Sequence, residues 1–291
     1  MPDLLALSID PLIRLALSED IGTGDVTSRT VVGEEWAATA WLVAKAPGIL
    51  AGLPVARRVF ELLDDTLHLA DMAHDGEVMK PGQKLLRIEG RAATILTGER
   101  TALNFLSHLS GIASFAAQMH ILAQGGQAVI LDTRKTLPGY RTLAKHACRM
   151  GGIKNHRMGL FDGVLIKNNH LKFAGPAEAV RRARQGAPVT ATIEIEVETL
   201  EQLREALTEK PDIVMLDNMD PDTLQQAIRL IGQQCRIEVS GGLTPDRIDE
   251  LSRTGVHYMS MGIITNSAPA IDISLRMGDV RRIEPSPNGA P

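Results

Sequence analysis

Six short apolar runs in the later part of the chain end in residues able to hold or move charge. Val129–Leu131 runs into Asp132–Thr133–Arg134–Lys135, and Val164–Ile166 into Lys167–Asn168–Asn169–His170. Ile193–Ile195 carries Glu194 and leads to Glu196, and Ile213–Leu216 ends in Asp217–Asn218. Ile237–Val239 is followed by Ser240–Gly241–Gly242, and Tyr258–Met261 by Gly262. One charged residue at a strand end means little. Six polar or glycine endings in succession converge on one mouth if the strands are parallel, because βα loops share one end of such a sheet.

The charge pattern says what that mouth would bind. Between Arg134 and Lys172 stand nine Lys or Arg and one acid, Asp162, in a chain whose net charge is -4. Dense positive charge in an acidic protein needs compensation, which an anionic ligand supplies. Arg141, Lys145 and Arg149 fall at near-helical spacing and read as a basic helix face in water. Arg134, Lys135 and Lys167 sit at strand ends and do not. Arginine offers bidentate forks for carboxylate or phosphate, lysine a point charge.

Other residue types fit around this. Ser240–Gly241–Gly242 and Gly262 suit a phosphate cradle, where backbone N–H groups approach an anion closely. Glu196 and Asp217 are carboxylates in an otherwise basic mouth. They fit Mg²⁺ coordination together with substrate phosphates, hydrogen bonding to a ribose, or ion pairing with Lys167 or Arg134. Glu194 and Glu198 share the strand parity of Glu196, so the pattern leaves the choice open. His156 and Arg157 share a glycine-bounded loop, Gly151 to Arg157, where a histidine could orient a substrate or exchange protons. Arg100 lies on a predicted helix outside this region and by itself reads as a surface residue.

The elements that must position these residues are punctuated clearly. Helices are predicted over Tyr140–Met150, Pro176–Gln185, Leu200–Lys210, Pro221–Gln233 and Pro245–Thr254, three of them opened by a proline that loses no donor in a first turn. Strand and helix alternate at roughly 20–35 residues per unit, which argues for a parallel sheet with crossover helices and a barrel of fewer than eight complete units. The earlier part reads as a helix (Asp10–Leu17), a glycine-containing acidic turn (Glu19–Asp25), a strand (Ala38–Ala44) and a helix (Pro54–Leu63). A β-hairpin is expected from Asp75 to Ile88 around Pro81–Gly82. Ala93 to Gly125 reads as mostly helical, with a break near Gly111.

The 291 residues are 44% hydrophobic and 23% charged, an ordinary globular composition, while only 3% aromatic residues imply an aliphatic core. The net charge argues against a global nucleic-acid binder. The apolar N-terminal stretch from Leu4 is interrupted by Asp10 and Arg14, so neither a signal peptide nor a membrane span is expected. Cys148 and Cys235 are far apart and read as reduced, structural thiols in a cytoplasmic protein. Glu284 to Pro291 reads as a frayed tail.

In order and spacing, a set of stretches resembles the quinolinate phosphoribosyltransferase family. They are Glu19–Asp20–Ile21–Gly22–Thr23–Gly24–Asp25–Val26–Thr27, Glu99–Arg100–Thr101–Ala102–Leu103–Asn104–Phe105–Leu106 and Asp132–Thr133–Arg134–Lys135–Thr136 with Pro138–Gly139. Further along come Asn155–His156–Arg157–Met158–Gly159–Leu160, Leu165–Ile166–Lys167–Asn168–Asn169–His170, Met215–Leu216–Asp217–Asn218 and Ser240–Gly241–Gly242. The match runs from about residue 15 to 277.

The resemblance implies an α/β protein of type II phosphoribosyltransferase architecture. Its N-terminal α/β sandwich domain (1–110) would be completed by about 270–291, with an incomplete (β/α) barrel over 111–269. It implies transfer of phosphoribosyl from phosphoribosyl pyrophosphate to quinolinate with decarboxylation, in NAD biosynthesis, with Mg²⁺ as cofactor. It also implies a homodimer with shared active sites, assembly beyond the dimer being open, and no nucleic-acid or membrane partner. In the family, the residue matching Arg100 reaches into the partner's active site. Those matching Arg134, His156, Arg157 and Lys167 hold the quinolinate carboxylates, with Thr133 beside them. Those matching Lys135, Lys167, Glu196 and Asp217 are the catalytic set around phosphoribosyl pyrophosphate, Glu196 and Asp217 serving Mg²⁺ directly or indirectly. Ser240, Gly241 and Gly242, with Met261, Gly262 and Ile263, match the loops for the 5′-phosphate.

Two positions depart from the pattern: Ile153 stands where the family usually has glycine, and Asn266 where it often has histidine. Three other readings compete with this one. A relative found in molybdenum-transport operons shares the fold but fits Asn155–His156–Arg157 and Lys167 less well. A barrel lyase would use Lys167 as a Schiff base. A carrier module would use the Gly76 to Gly90 region, but there Lys80 runs into Pro81–Gly82.

Overall fold

The computed structural model describes residues 2–283, with side chains from Ile9, and the tail expected from Glu284 lies outside the described residues. The chain begins with α1 (Pro2–Ile21), a π-helical turn (Ser28–Val32), β1 (Trp36–Ala44), β2 (Gly48–Ile49) and α2 (Leu53–Leu63). There follow β3 (His68–Asp71), β4 (Val78–Met79), β5 (Lys84–Arg91) and α3 (Ala92–Ala123). Then come β6 (Val129–Leu131), α4 (Arg141–Met150), β7 (Val164–Ile166), α5 (Asn168–Leu171), α6 (Pro176–Gly186), β8 (Ile193–Val197) and α7 (Leu200–Leu207). The last are β9 (Ile213–Asp217), α8 (Pro221–Ile231), β10 (Arg236–Ser240), α9 (Pro245–Ser252), β11 (Tyr258–Ser260), α10 (Ile263–Asn266) and β12 (Ile273–Arg282). No helix among the described residues is long and apolar enough to cross a membrane.

Two compact units share the chain. One comprises residues up to Ser114 and those from Ala268, the other Phe115–Ser267. In the first, a four-stranded antiparallel sheet has the order β12-β1-β5-β3, so the chain's last strand pairs with its first. Leu42, Leu86, Ile88, Val59 and Phe60 are fully buried there.

Two expectations for this unit are corrected. The Pro81–Gly82 turn exists, with Gln83 N donating to Lys80 O at 3.0 Å and Gly82 at φ 85°. Its arms do not form a hairpin, because β4 pairs with β2 while β5 lies between β1 and β3. Alternation reveals a half-buried strand but not its partner. Nor is α3 broken at Gly111. A Cβ there would lie 2.1 Å from the carbonyl oxygen of Pro269, so this glycine admits a close backbone approach within an unbroken helix.

In the second unit all six predicted strands are present, parallel, in the order β6-β11-β10-β9-β8-β7. From β7 to β11 sequence-consecutive strands are neighbours, and β11 pairs with β6. The ring opens between β6 and β7, where only a bridge from Leu131 to Lys154 extends the β6 edge. This is the incomplete barrel expected. β8 is buried along its whole length, as parallel strands covered on both faces are. The helices start where local chemistry favours it: prolines open α6, α8 and α9, and Asp220 caps α8 by accepting from Asp222 N and Thr223 N.

Candidate active site

The carboxyl ends of β6 to β11 carry the predicted residues, and strand register sets them side by side. Asp217 of β9 pairs with Ser240 of β10, and Leu131 of β6 with Ser260 of β11. Thr265 Oγ1 donates to Lys135 O at 2.7 Å, tying the loop after β6 to α10. Lys135 N donates in turn to Thr133 Oγ1 at 3.0 Å. The stem of Lys135 lies across Gly262, where a Cβ would approach its Cδ to 2.6 Å. Met261 is buried and Ile263 is exposed.

The three glutamates that strand parity left equivalent are separated by their partners. Glu196 Oε2 lies 2.5 Å from Lys167 Nζ, Glu198 accepts from Asn168 Nδ2, and Glu194 Oε2 lies 3.1 Å from His156 Nε2. Asp217 accepts from Asn218 Nδ2 at 2.8 Å. Burial and then the charge of Glu196 raise the Asp217 carboxyl, against the pull of Lys167 and Lys135. These four charged groups therefore share one electrostatic environment. Asn218 has φ 53°, and a Cβ on Gly241 would sit 2.4 Å from its Oδ1. Gly241 and Gly242, at φ 81° and 58°, thus fold tightly beside Asp217. Two acidic groups at neighbouring strand ends are a donor set of the kind that suits Mg²⁺, which favours few protein carboxylates.

Arg134 and Arg157 form the second cluster. The Nε of each is buried without a hydrogen-bond partner. Arg157 Nη1 donates to Gly163 O at 2.9 Å. Burial and then the charge of Arg134 hold the Arg157 guanidinium below its usual range. Two like charges side by side with unspent donors leave a charge imbalance that an anion could offset.

Beneath them lies a buried web that sequence reasoning missed. Lys145, expected on a water-facing helix side, is fully buried and pairs with the equally buried Asp132. Of the three basic residues at helical spacing, Lys145 alone turns fully away from water, onto Asp132. Asp132 also accepts from Asn155 Nδ2 and, at 2.9 Å, from His156 N. Arg141 is only partly exposed and bridges Thr136 Oγ1 and Met158 O, whereas Arg149 is exposed and meets Asn155.

Glu238 of β10 was also missed. It is 1% exposed and lies 3.7 Å from His156 Nε2. Burial, and next the charge of Glu194, push its carboxyl up to about 8. An acid inside the apolar run Ile237–Glu238–Val239 was the available signal. Donor atoms of His156, Glu194 and Glu238 lie within 4.8 Å of one another, the arrangement among described residues closest to a metal-ligand triad. His156 Nε2 is already committed to Glu194, so the cluster is filled by its own proton. Arg100 is exposed on α3 in the other unit.

Comparison with known proteins agrees with this chemistry. Residues 112–276 match the family described as quinolinate phosphoribosyl transferase, C-terminal domain, and residues 25–110 match its N-terminal domain. A Bacillus subtilis protein named probable nicotinate-nucleotide pyrophosphorylase [carboxylating] is 41% identical over 270 residues, covering 92% of this chain and 93% of its own. A Methanocaldococcus jannaschii protein of the same name is 38% identical over 273 residues, covering 91% and 95%. The solved nicotinate-nucleotide pyrophosphorylase of Francisella tularensis superposes with a TM-score of 0.86 at 37% identity, covering 92% of this chain and 95% of that one.

Proposed function

The chain belongs to the quinolinate phosphoribosyltransferase family, and on that premise we propose how its own residues carry the reaction. The enzyme transfers phosphoribosyl from phosphoribosyl pyrophosphate to quinolinate with decarboxylation, giving nicotinate mononucleotide, pyrophosphate and CO₂ in NAD biosynthesis.

The observation that carries the site assignment is the Arg134–Arg157 pair with its buried, unspent Nε donors. A dicarboxylate satisfies both forks at once, and Lys167 and Thr133 border the same mouth. The phosphorylated ribose is held on the other side, its 5′-phosphate by Ser240, Gly241 and Gly242 with Met261, Gly262 and Ile263. Lys135, whose stem crosses Gly262, reaches the pyrophosphate. Glu196 and Asp217 would hold Mg²⁺ directly or through water. When bound, Mg²⁺ would gather the phosphate oxygens and offset their charge.

Both substrates are polyanions, so the cations let the ring nitrogen meet the anomeric carbon, and binding supplies proximity. The carbon–oxygen bond to pyrophosphate breaks as the carbon–nitrogen bond forms. Glu196 and Asp217 stabilise the positive charge that develops on the ribose. The ring nitrogen is then cationic. It can accept the electron pair left on the ring carbon when CO₂ departs, and protonation of that carbon completes the product. Decarboxylation therefore follows transfer. A homodimer, to which each subunit's Arg100 brings charge for its partner's site, completes the proposal. A reducing cytoplasm suits its two unpaired thiols.

The test is one assay: purified protein, Mg²⁺ and phosphoribosyl pyrophosphate with either quinolinate or nicotinate. Mononucleotide and stoichiometric CO₂ from quinolinate alone is the expected result. Product from nicotinate alone would overturn the dicarboxylate role of Arg134 and Arg157. Full activity after chelation of divalent cations would remove the role given to Glu196 and Asp217 in holding Mg²⁺.

A further inference from the structure

Both ring nitrogens of His156 are engaged inside the protein. Nδ1 accepts the backbone N–H of Arg157 at 2.7 Å. Nε2 lies 3.1 Å from Glu194 Oε2 and 3.7 Å from Glu238 Oε1. A nitrogen that accepts an N–H carries no proton, so the ring proton of this arrangement is on Nε2, aimed at the two carboxylates. A ring held this way has no nitrogen left for a substrate carboxylate.

The rest of the loop is held just as firmly. His156 N donates to Asp132 Oδ1 at 2.9 Å and His156 O accepts from Lys145 Nζ at 2.9 Å. Arg157 reaches Gly163 O with Nη1. The main-chain N–H between those anchors is fixed by the imidazole alone. Glu194 and Glu238 are 4% and 1% exposed, and burying two carboxylates beside one ring is costly. Such an arrangement is better explained by what it orients than by stability.

We propose that Glu194 and Glu238 are positioning residues of the reaction: they hold His156 as its Nε2–H tautomer, and the ring holds the main chain of Arg157 so that its guanidinium is aimed beside Arg134. The proposal rests on the reading of Arg157 as a dicarboxylate clamp. The groups around the ring agree with it. Glu194 on β8 and Glu238 on β10 face Nε2, while Asp132 and Lys145 meet only the main chain of His156. A proton on His156 Nδ1 would face the Arg157 N–H, donor against donor.

Calorimetric titration with quinolinate tests this on the full-length enzyme with His156→Asn, His156→Gln, Glu194→Leu and Arg157→Ala. The asparagine oxygen takes the place of Nδ1, whereas the tip of glutamine reaches only that of Nε2. His156→Asn should keep the quinolinate Kd within about threefold. His156→Gln and Glu194→Leu should weaken it about tenfold, the worth of one hydrogen bond, leaving the Kd for phosphoribosyl pyrophosphate unchanged. Nitrogen NMR should show the Nε2–H tautomer in the wild type and its loss in Glu194→Leu. Equal weakening by His156→Asn and His156→Gln would mean that the ring itself binds substrate, and would overturn the proposal. So would an unchanged Kd in a folded Glu194→Leu. If that variant does not fold, the two His156 variants decide alone. Unchanged binding in Arg157→Ala would remove the clamp and this proposal together. Loss there, with Glu194→Leu silent, removes only the proposal.

Discussion

Lys167, just after β7, and Glu196 of the neighbouring β8 form an ion pair of 2.5 Å in which Glu196 is almost covered while Lys167 stays half-exposed. The lysine can therefore turn to an anion, leaving the glutamate for the ribose side. Lys167→Ala should lower kcat/KM by about 10²–10³, as loss of a charge-stabilising donor does. Glu196→Gln should lower kcat while leaving quinolinate affinity equal or tighter, since Lys167 is released. Kd for quinolinate beside kcat separates the two. If Glu196→Gln weakened quinolinate binding as Lys167→Ala does, this division of roles would be wrong.

The charge of Arg134 acts unfavourably on Arg157, and on the proposed role a bound dicarboxylate would offset it. Arg134→Met should remove that repulsion and raise stability by about 1 kcal/mol, a trade of function for stability. Quinolinate should raise the Tm of the wild type and leave that of the variant unmoved. Thermal scans with and without quinolinate read both effects. A variant still stabilised by quinolinate would show that Arg134 is not a ligand.

The Glu238 carboxyl is raised from 4.5 to about 8 in the folded chain. Between those values the folded protein keeps a proton that the unfolded chain has released. Unfolding then sheds a proton, and stability falls as pH rises across the window. Glu238→Gln removes this loss. Urea unfolding at about pH 5 and about pH 8.5 should show a smaller decline for the variant than for the wild type. Parallel declines would mean that Glu238 is not the group that titrates.

What the sequence made legible follows from periodicity. Each apolar run from Val129 to Met261 became a strand, because a buried parallel strand leaves a continuous apolar signature. The residues after those runs came together because strand ends must. Pairing partners were illegible, so the turn at Pro81–Gly82 was visible while the separate destinations of β4 and β5 were not. Gly111 looked like a helix break because a sequence does not show that Pro269 returns to it. Lys145 looked solvated because helical spacing gives a face without saying what covers it. Glu194, Glu196 and Glu198 shared one parity, and only His156, Lys167 and Asn168, all from other segments, distinguish them.

Arg100 is the one proposed site residue outside the barrel unit, and it offers a test that needs no knowledge of how the units are arranged. If each subunit's Arg100 completes its partner's site, Arg100→Ala and Lys167→Ala should each be inactive while folded. Mixing the two under conditions that exchange subunits yields mixed dimers. In these, one site carries both lesions and the other carries neither. With random exchange half the dimers are mixed, so activity should return to about a quarter of the wild-type value. Activity that grows with exchange time would support a shared site. If Arg100→Ala alone stayed fully active, Arg100 would be an ordinary exposed residue. If both variants were dead and mixing restored nothing, Arg100 would act within its own subunit.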